Sequence, residues 1–317
     1  MLSGNISTSP LRRAISNKAV DQFKLRTFFY AQGEHQTLAT GDHTFAFPIM
    51  DRTVFTPADA VLQEGVTPAA RKVGWHAVDV AMTQYGVMVE LSDVLLKDNP
   101  FPILEKSGTE LGRQMAEVVD TVIQDKLLAL DNTNQTQVTY GTNRATRALI
   151  QSTDYLTADQ IAAAAAILGA KGTPTIGGDY VAVLSPIQQY ALFTETTAGA
   201  FIQVSKYTNP DLYFNGEIGK IFGCRFVISP NIRSFKGGVN GTVDIYPTYI
   251  IGEEAYGVVE SQAMETYVKP LGSAGSADPL NQRATVGLKI RYGIEVLKPE
   301  ANFRIESASK LSPTLPY

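Results

Sequence analysis

Near the end of the chain, Val286, Leu288, Ile290, Tyr292, Ile294 and Val296 alternate with Thr285, Gly287, Lys289, Arg291, Gly293 and Glu295. A two-residue period places the first set on one face of a β-strand and the second on the other. The run is roughly twice the common strand length. A strand this long, apolar on a single face, belongs to a sheet that is covered on one side. Beyond Pro299, Phe303 and Ile305 predict a partner strand for it.

The helical counterpart spans about residues 102–130. Leu111, Met115, Val118 and Val122 form one stripe, and Val119, Ile123 and Leu127 form a second beside it. The stretch exceeds the common helix length of about 11 or 12 residues, and its apolar face reads as core packing. Ser107 and Glu110 have capping-box spacing, Gly108 and Gly112 weaken the opening turns, and Asp131, Asn132 and Asn134 end the helix.

Upstream lie two extended segments. Phe45, Phe47 and Ile49 alternate around Pro48, an edge-strand residue; Val78, Val80 and Met82, then Val87, Val89 and Leu91, alternate with smaller or polar side chains. Gly86 marks a bulge or bend. The connection carries Pro57, Gly65, Pro68, Arg71 and Lys72, so the pair reads as a long two-stranded protrusion. Such a hairpin is marginal alone in water and needs another surface to lie on. Ahead of it, Leu11, Ile15, Ala19 and Phe23 recur every four residues in a short amphipathic helix, whose narrow stripe calls for packing on something else. There Arg12, Arg13, Lys18, Lys24 and Arg26 face only Asp21, an arm suited to an acidic neighbour or to nucleic acid.

The middle of the chain is mixed. Residues 157–170 read as an alanine-rich helix capped by Thr157, residues 180–184 as a buried strand, and residues 186–193 as a helix opened by Pro186. Glycine-punctuated strands follow within residues 216–229 and 242–251, giving an α+β domain.

Composition narrows the function. Charged residues make up 18% of the 317, below the roughly 25% typical of soluble domains. A surface poor in charge fits one that is partly hidden against neighbours. The net charge of −4 argues against a dedicated nucleic-acid binder. Cys224 is the only cysteine, so neither an intramolecular disulfide nor a thiolate metal cluster can form; it reads as a small buried strand residue and fits cytosolic synthesis. His35, His43 and His76 lack the spacing of metal ligands. No phosphate-cradling loop, dinucleotide fingerprint or nucleophile elbow occurs, so the reading is no enzyme, no cofactor and no metal. No early apolar run resembles a signal peptide, and no run of 18 apolar residues could cross a bilayer. Trp75, near the base of the protrusion, reads as a contact anchor.

Five stretches carry a resemblance. They are residues 64–68 (EGVTP); 84–86 (QYG) running into 90–94 (ELSDV); 214–221 (FNGEIGKI); 255–259 (AYGVV); and 269–275 (KPLGSAG) continuing as 277–287 (ADPLNQRATVG), the most specific. In order and over about 220 residues, they resemble the major capsid proteins of short-tailed and related tailed bacteriophages, which carry the tailed-phage and herpesvirus shell fold. The resemblance implies an N-terminal arm (1–34), an extended hairpin or E-loop (35–100), a peripheral domain with the long spine helix (101–156), an axial domain (157–264), and a return to the peripheral domain with a C-terminal tail (265–317). It implies self-assembly into pentamers and hexamers of an icosahedral head enclosing double-stranded DNA. Its partners would be further copies of itself, a separate scaffolding protein (since the arm begins directly), a portal protein and a decoration protein, with weak contact to packaged DNA and none to membrane. The chain would be made in the host bacterial cytoplasm and reside in the virion. Assembly contacts are expected at Arg12, Arg13, Phe23, Glu64, Arg71, Lys72, Trp75, Lys269, Asp278 and Arg283. Alternatives are a nonviral cargo-holding shell of the same fold, another virion component such as a portal, tail-tube or decoration protein, and an enzyme with an unrecognised site.

Overall fold

The structure, a computed structural model, describes residues 10–38, 43–50, 55–62, 64–65, 70–98, 101–131, 137–195, 220–273 and 278–311. Of the sequence landmarks, residues 66–68, 214–219 and 274–277 and the helix stop at Asn132 and Asn134 lie outside these. In chain order come α1 (Pro10–Arg26), β1 (Glu34–Thr37), β2 (Thr44–Met50), β3 (Trp75–Ala81), β4 (Thr83–Ser92), α2 (Asp93–Asp98) and α3 (Ile103–Leu128). Next are β5 (Gln137–Tyr140), α4 (Ala158–Ala170), β6 (Tyr180–Leu184), α5 (Pro186–Phe193), β7 (Lys220–Ile221), β8 (Cys224–Ile228) and β9 (Phe235–Gly237). The long strands β10 (Val243–Ile251), β11 (Tyr256–Lys269) and β12 (Arg283–Val296) and the shorter β13 (Asn302–Ala308) complete the order.

The alternating segment is β12, the second-to-last strand of a sheet ordered β1-β11-β12-β4, antiparallel to both neighbours. Its apolar face, Val286, Leu288, Ile290 and Tyr292, is buried in one cluster with Leu111, Met115, Val119 and Ile123 of α3. Each such aliphatic side chain contributes about 1.5–3 kcal/mol relative to exposure. On the opposite face Gly293 admits the base of the hairpin, because a Cβ there would lie 2.6 Å from the Ala81 carbonyl oxygen.

A second sheet runs β5-β13-β10-β6-β8-β7, with β9 also paired to β10. Strand β6 is buried at all five positions, as expected for a strand covered on both faces. Ile161, Ala164 and Leu168 of α4 pack with Ala182, Leu184, Ile250, Phe303 and Ile305. Thr157 caps α4 in a capping box with Gln160, and Ser185 caps α5 ahead of Pro186.

Four expectations are corrected. First, β13 pairs with β10 and β5 instead of β12. The apolar partners of Phe303 and Ile305 belong to the α4 layer, so burying them carries the strand into the other sheet. Second, α3 begins at Ile103, and Ser107 is interior to it, its hydroxyl donating to the Ile103 carbonyl at 2.8 Å. Proline, disfavoured inside a helix, sets the start at Pro102. Third, Gly86 pairs with Lys289 without a register shift; the break falls at Met82, between β3 and β4, and the irregularities lie in β11 between Glu260 and Glu265.

The fourth concerns the arm. Helix α1 lies along α3 of its own chain, with Ile15, Ala19 and Phe23 buried in the main core. The glycines that seemed only to weaken α3 are what permit this approach. A Cβ on Gly108 would strike the Ile15 side chain, and one on Gly112 would overlap the Ala19 backbone. The narrow stripe finds its surface within the molecule, not on a neighbour.

Candidate assembly interface

The hairpin holds Thr44 opposite Ala81 at one end and Met50 opposite Trp75 at the other. Near its base Phe47 and Val80 are buried with Leu38, Val259 and Leu297, so the protrusion is rooted in its own subunit. Outward the burial ends. Met50 is 56% exposed and Trp75 64%, and beyond them Phe55, Val61 and Leu62 are 58, 70 and 72% exposed. Exposed apolar side chains gathered on one projecting element are the usual mark of a contact surface.

The tip is locally ordered by polar bonds. The Thr56 amide and hydroxyl both donate to the Asp59 carboxylate, at 2.9 and 2.7 Å, and the Asp59 amide donates to the Thr56 carbonyl at 2.9 Å. Bonds from Thr56 and the neighbouring Arg71 guanidinium hold the Asp59 carboxyl below the usual range. Arg71 meets Asp59 at 2.7 Å and lies over the Phe55 ring at 5.4 Å. It therefore clasps the two limbs of the loop together. Lys72 and Glu64 are exposed beside it.

Beneath the hairpin runs a cleft of about 520 Å³, bordered by Phe45, Ile49, Met50 and Trp75 above and by Glu34 and Leu297 below. Trp75 thus stands at the mouth of a groove with its ring largely in solvent.

The other expected contact residues are dispersed. Lys269 is exposed at the end of β11. Asp278 is buried within its own chain: its carboxylate accepts the Arg283 amide at 2.8 Å and shapes the turn that leads into β12. Arg283 is exposed and stands 3.8 Å from Glu90 on β4. Arg13 is exposed on α1, Arg12 lies in the same helix, and Phe23 is buried against Tyr30 and the core. Phe23 and Asp278, expected at contacts between subunits, are occupied inside one subunit. The structure brings Glu64, Arg71, Lys72 and Trp75 onto the hairpin and leaves the rest apart.

Other groups that the sequence had offered are inert. Cys224 is fully buried in β8, and burial pushes its thiol up to about 12. Among the described residues no group of three or more His, Cys, Asp or Glu could hold a metal ion, and no helix is long and apolar enough to cross a membrane.

Sequence reasoning missed two buried polar sets. Asp120 and Gln124, one turn apart on α3, reach across to other segments. Asp120 accepts the amides of Phe28, Phe29 and Tyr30 at 2.9, 3.2 and 3.4 Å, and Gln124 bonds the Asn231 carbonyl and the Arg233 amide. On β13, Arg304 donates to the Leu127, Leu128 and Leu130 carbonyls at 2.8–3.1 Å, satisfying the end of α3, and to Glu306, which Arg147 also grips. The available signal was a pair of polar residues at four-residue spacing amid the apolar stripes of the long helix.

A model of the phage capsid protein family matches residues 77–305. The major capsid protein of Pseudomonas phage KPP21 is 28% identical over 133 residues, which are 35% of this chain and 34% of that protein, so the match spans about a third of that relative's length. Among solved structures, the capsid of Ralstonia phage GP4 superimposes with a TM-score of 0.68 at 15% identity, covering 92% of this chain and 93% of that one. The cyanophage Pam1 capsid gives 0.67 at 13% identity over 92 and 93%.

Proposed function

Since the chain belongs to the phage capsid protein family, we propose that it is a major capsid protein, assembling into pentamers and hexamers that close as an icosahedral head around double-stranded DNA. Its role is structural, not catalytic. The observation that carries the finer reading is the exposed apolar hairpin, with Met50, Phe55, Val61, Leu62 and Trp75 held out on a rooted, internally clasped element. On an isolated subunit more than half of each of these side chains stands in solvent; on a neighbouring copy they can be buried.

The physics of a shell favours such an element. Rings of five and six need heterologous contacts that close, with further contacts joining the rings. Each can be modest, because detaching one subunit breaks several at once. The buried area should reach the obligate range, on the order of 2,000 Å² or more per subunit. In this reading the E-loop is the hairpin region (35–100), α3 is the spine helix of the peripheral segments (101–156 and 265–317), and residues 157–264 form the axial domain at each capsomer centre. A net charge of −4 lets the shell hold DNA without gripping it. A separate scaffolding protein, a portal and a decoration protein are the further partners proposed, and the virion is the proposed location.

Gel filtration and negative-stain microscopy of the purified chain test this. Closed particles or ring-shaped capsomers are expected. A monomer that stays dispersed at high concentration and with crowding agents overturns it. Particles recovered from cells should contain DNA; particles filled with a protein cargo would mean a nonviral shell of the same fold.

A further inference from the structure

Asp120 is fully buried near the middle of α3, yet among the described residues it has no cationic partner. Its carboxylate is met by dipoles alone: three consecutive amides, from Phe28, Phe29 and Tyr30, and the Asn231 side-chain amide at 3.4 Å. Asn231 also donates to the Arg26 carbonyl at 3.2 Å. One side chain therefore joins the long helix, the segment leaving α1 and the loop after β8. Helix α1 is held on α3 at this point, along the tight seam of Ile15 and Ala19 on Gly108 and Gly112, by Phe23 in the core and by the pair of Lys18 with Glu105.

We propose that Asp120 is a protonation-sensitive latch for the N-terminal helix, holding α1 on α3 firmly in its neutral form and more loosely when ionised. A buried carboxylate without a counter-ion is penalised in its charged form, and amide bonds offset this only in part. The groups facing it supply no compensation. From β11 comes Tyr256 and from β12 Tyr292 stacked on Tyr85, both phenols whose ionisation burial pushes far up; Tyr30, at the α1 exit, turns its phenol to Glu260, which is no cation either. The Tyr292 hydroxyl is itself buried without a hydrogen-bond partner among the described residues. The cations nearest in sequence to the bonded groups are Arg26 and Arg233, and Arg233 is engaged with Asp125 at 3.1 Å. On α3 itself, Glu117 pairs with Arg113.

Burial accordingly pushes the Asp120 carboxyl up to about 6, the bonds from Phe28, Asn231, Tyr30 and Phe29 pulling the other way. A carboxyl raised on docking favours the docked state most below its ordinary value of 3.8, and this advantage is lost as pH rises through about 6. The displacement sets a ceiling of roughly a hundredfold on the change in the docking equilibrium. The switch lies within one chain and does not depend on shell formation.

Amide hydrogen exchange on the isolated full-length chain tests it, with rates corrected for intrinsic chemistry. Protection of α1 and of Phe28, Phe29 and Tyr30 should fall between pH 5 and pH 8, by about tenfold. Asp120→Asn keeps the size and one acceptor oxygen but cannot ionise, so its protection should be independent of pH. Gly112→Ala, which opens the seam without touching the carboxyl, should lower protection at both values while keeping their ratio; it serves as the comparison even if the Asn variant folds poorly. Level protection in the unaltered chain overturns the proposal, and so does a pH response that survives in Asp120→Asn or vanishes in Gly112→Ala.

Discussion

Arg304 sits on a strand whose seven residues are all buried, and its guanidinium closes the last turn of α3 while bonding Glu306 at 2.8 Å. Glu306 in turn holds Arg147 through two bonds of 2.6 Å. Charge in such a place is tolerated because the guanidinium meets three carbonyls and a carboxylate; removing Arg304 uncaps the helix and leaves the buried Glu306 with Arg147 as its remaining cationic partner. Arg304→Met should therefore destabilise the subunit by about 3–5 kcal/mol, read as a lower urea midpoint. Replacing Arg304 and Glu306 together by apolar residues should recover part of that loss, because it removes a buried carboxylate that has lost one of its two cationic partners. Equal loss in the single and double variants would show that helix capping, and not the loss of that partner, dominates. Asp278, buried at a turn, is a further case of a charged residue held within its own chain. An acid within the most specific stretch of the chain turns out to shape a turn, its carboxylate bonded to the Arg283 amide.

Among the elements, α1 and the hairpin look alike in sequence, each a segment with too little apolar surface to stand alone, yet they meet different fates. Helix α1 finds a groove floored by glycine on its own α3, and three of its side chains join the main core. Among its described residues the hairpin buries Phe47 and Val80, with Phe45, Ile49 and Val78 packed beside them, and leaves Met50, Trp75, Phe55, Val61 and Leu62 largely in water. Deleting the two should thus have opposite effects. Removing residues 1–30 uncovers Leu111 and Met115 and strands Asp120, so the subunit itself should lose several kcal/mol and bind a hydrophobic dye. Replacing residues 56–72 with a short turn should leave the urea midpoint within about 1 kcal/mol of the original while abolishing assembly. A hairpin-deleted chain that still forms normal shells would remove the hairpin from the interface.

For the molecule as a whole, the question is how a subunit with 18% charged residues behaves among its copies. Arg71 and Lys72 are cations on a tip that also carries Asp59, Glu64 and exposed apolar side chains, and Arg71 clasps Asp59. Reversing both charges should weaken shell formation more in low salt than in high, because screening over about 10 Å at 0.1 M mutes the repulsion created. Asp59→Asn separates the two roles, since it loosens the clasp without reversing the tip. Particle yield across a salt series is the measurement. A yield insensitive to both the substitutions and the salt would place the tip's cations outside any contact.

The sequence by itself determined the periodic elements: the long one-faced strand, the long helix with its adjacent stripes, the capped α4 and the outlying hairpin. Each follows from side-chain spacing along a few neighbouring residues, and period is a local property. The five stretches at residues 64–68, 84–86 with 90–94, 214–221, 255–259, and 269–275 with 277–287 also made the capsid resemblance legible in the sequence. What only the tertiary structure decided were the partnerships. Spacing states that Phe303 and Ile305 share a face but not which sheet buries them. It likewise leaves open that Gly112 admits Ala19, or that Asp120 meets three amides about 90 residues away in the chain. Those pairings depend on which surfaces are close enough to exclude water, and that is settled by the packing of the whole chain.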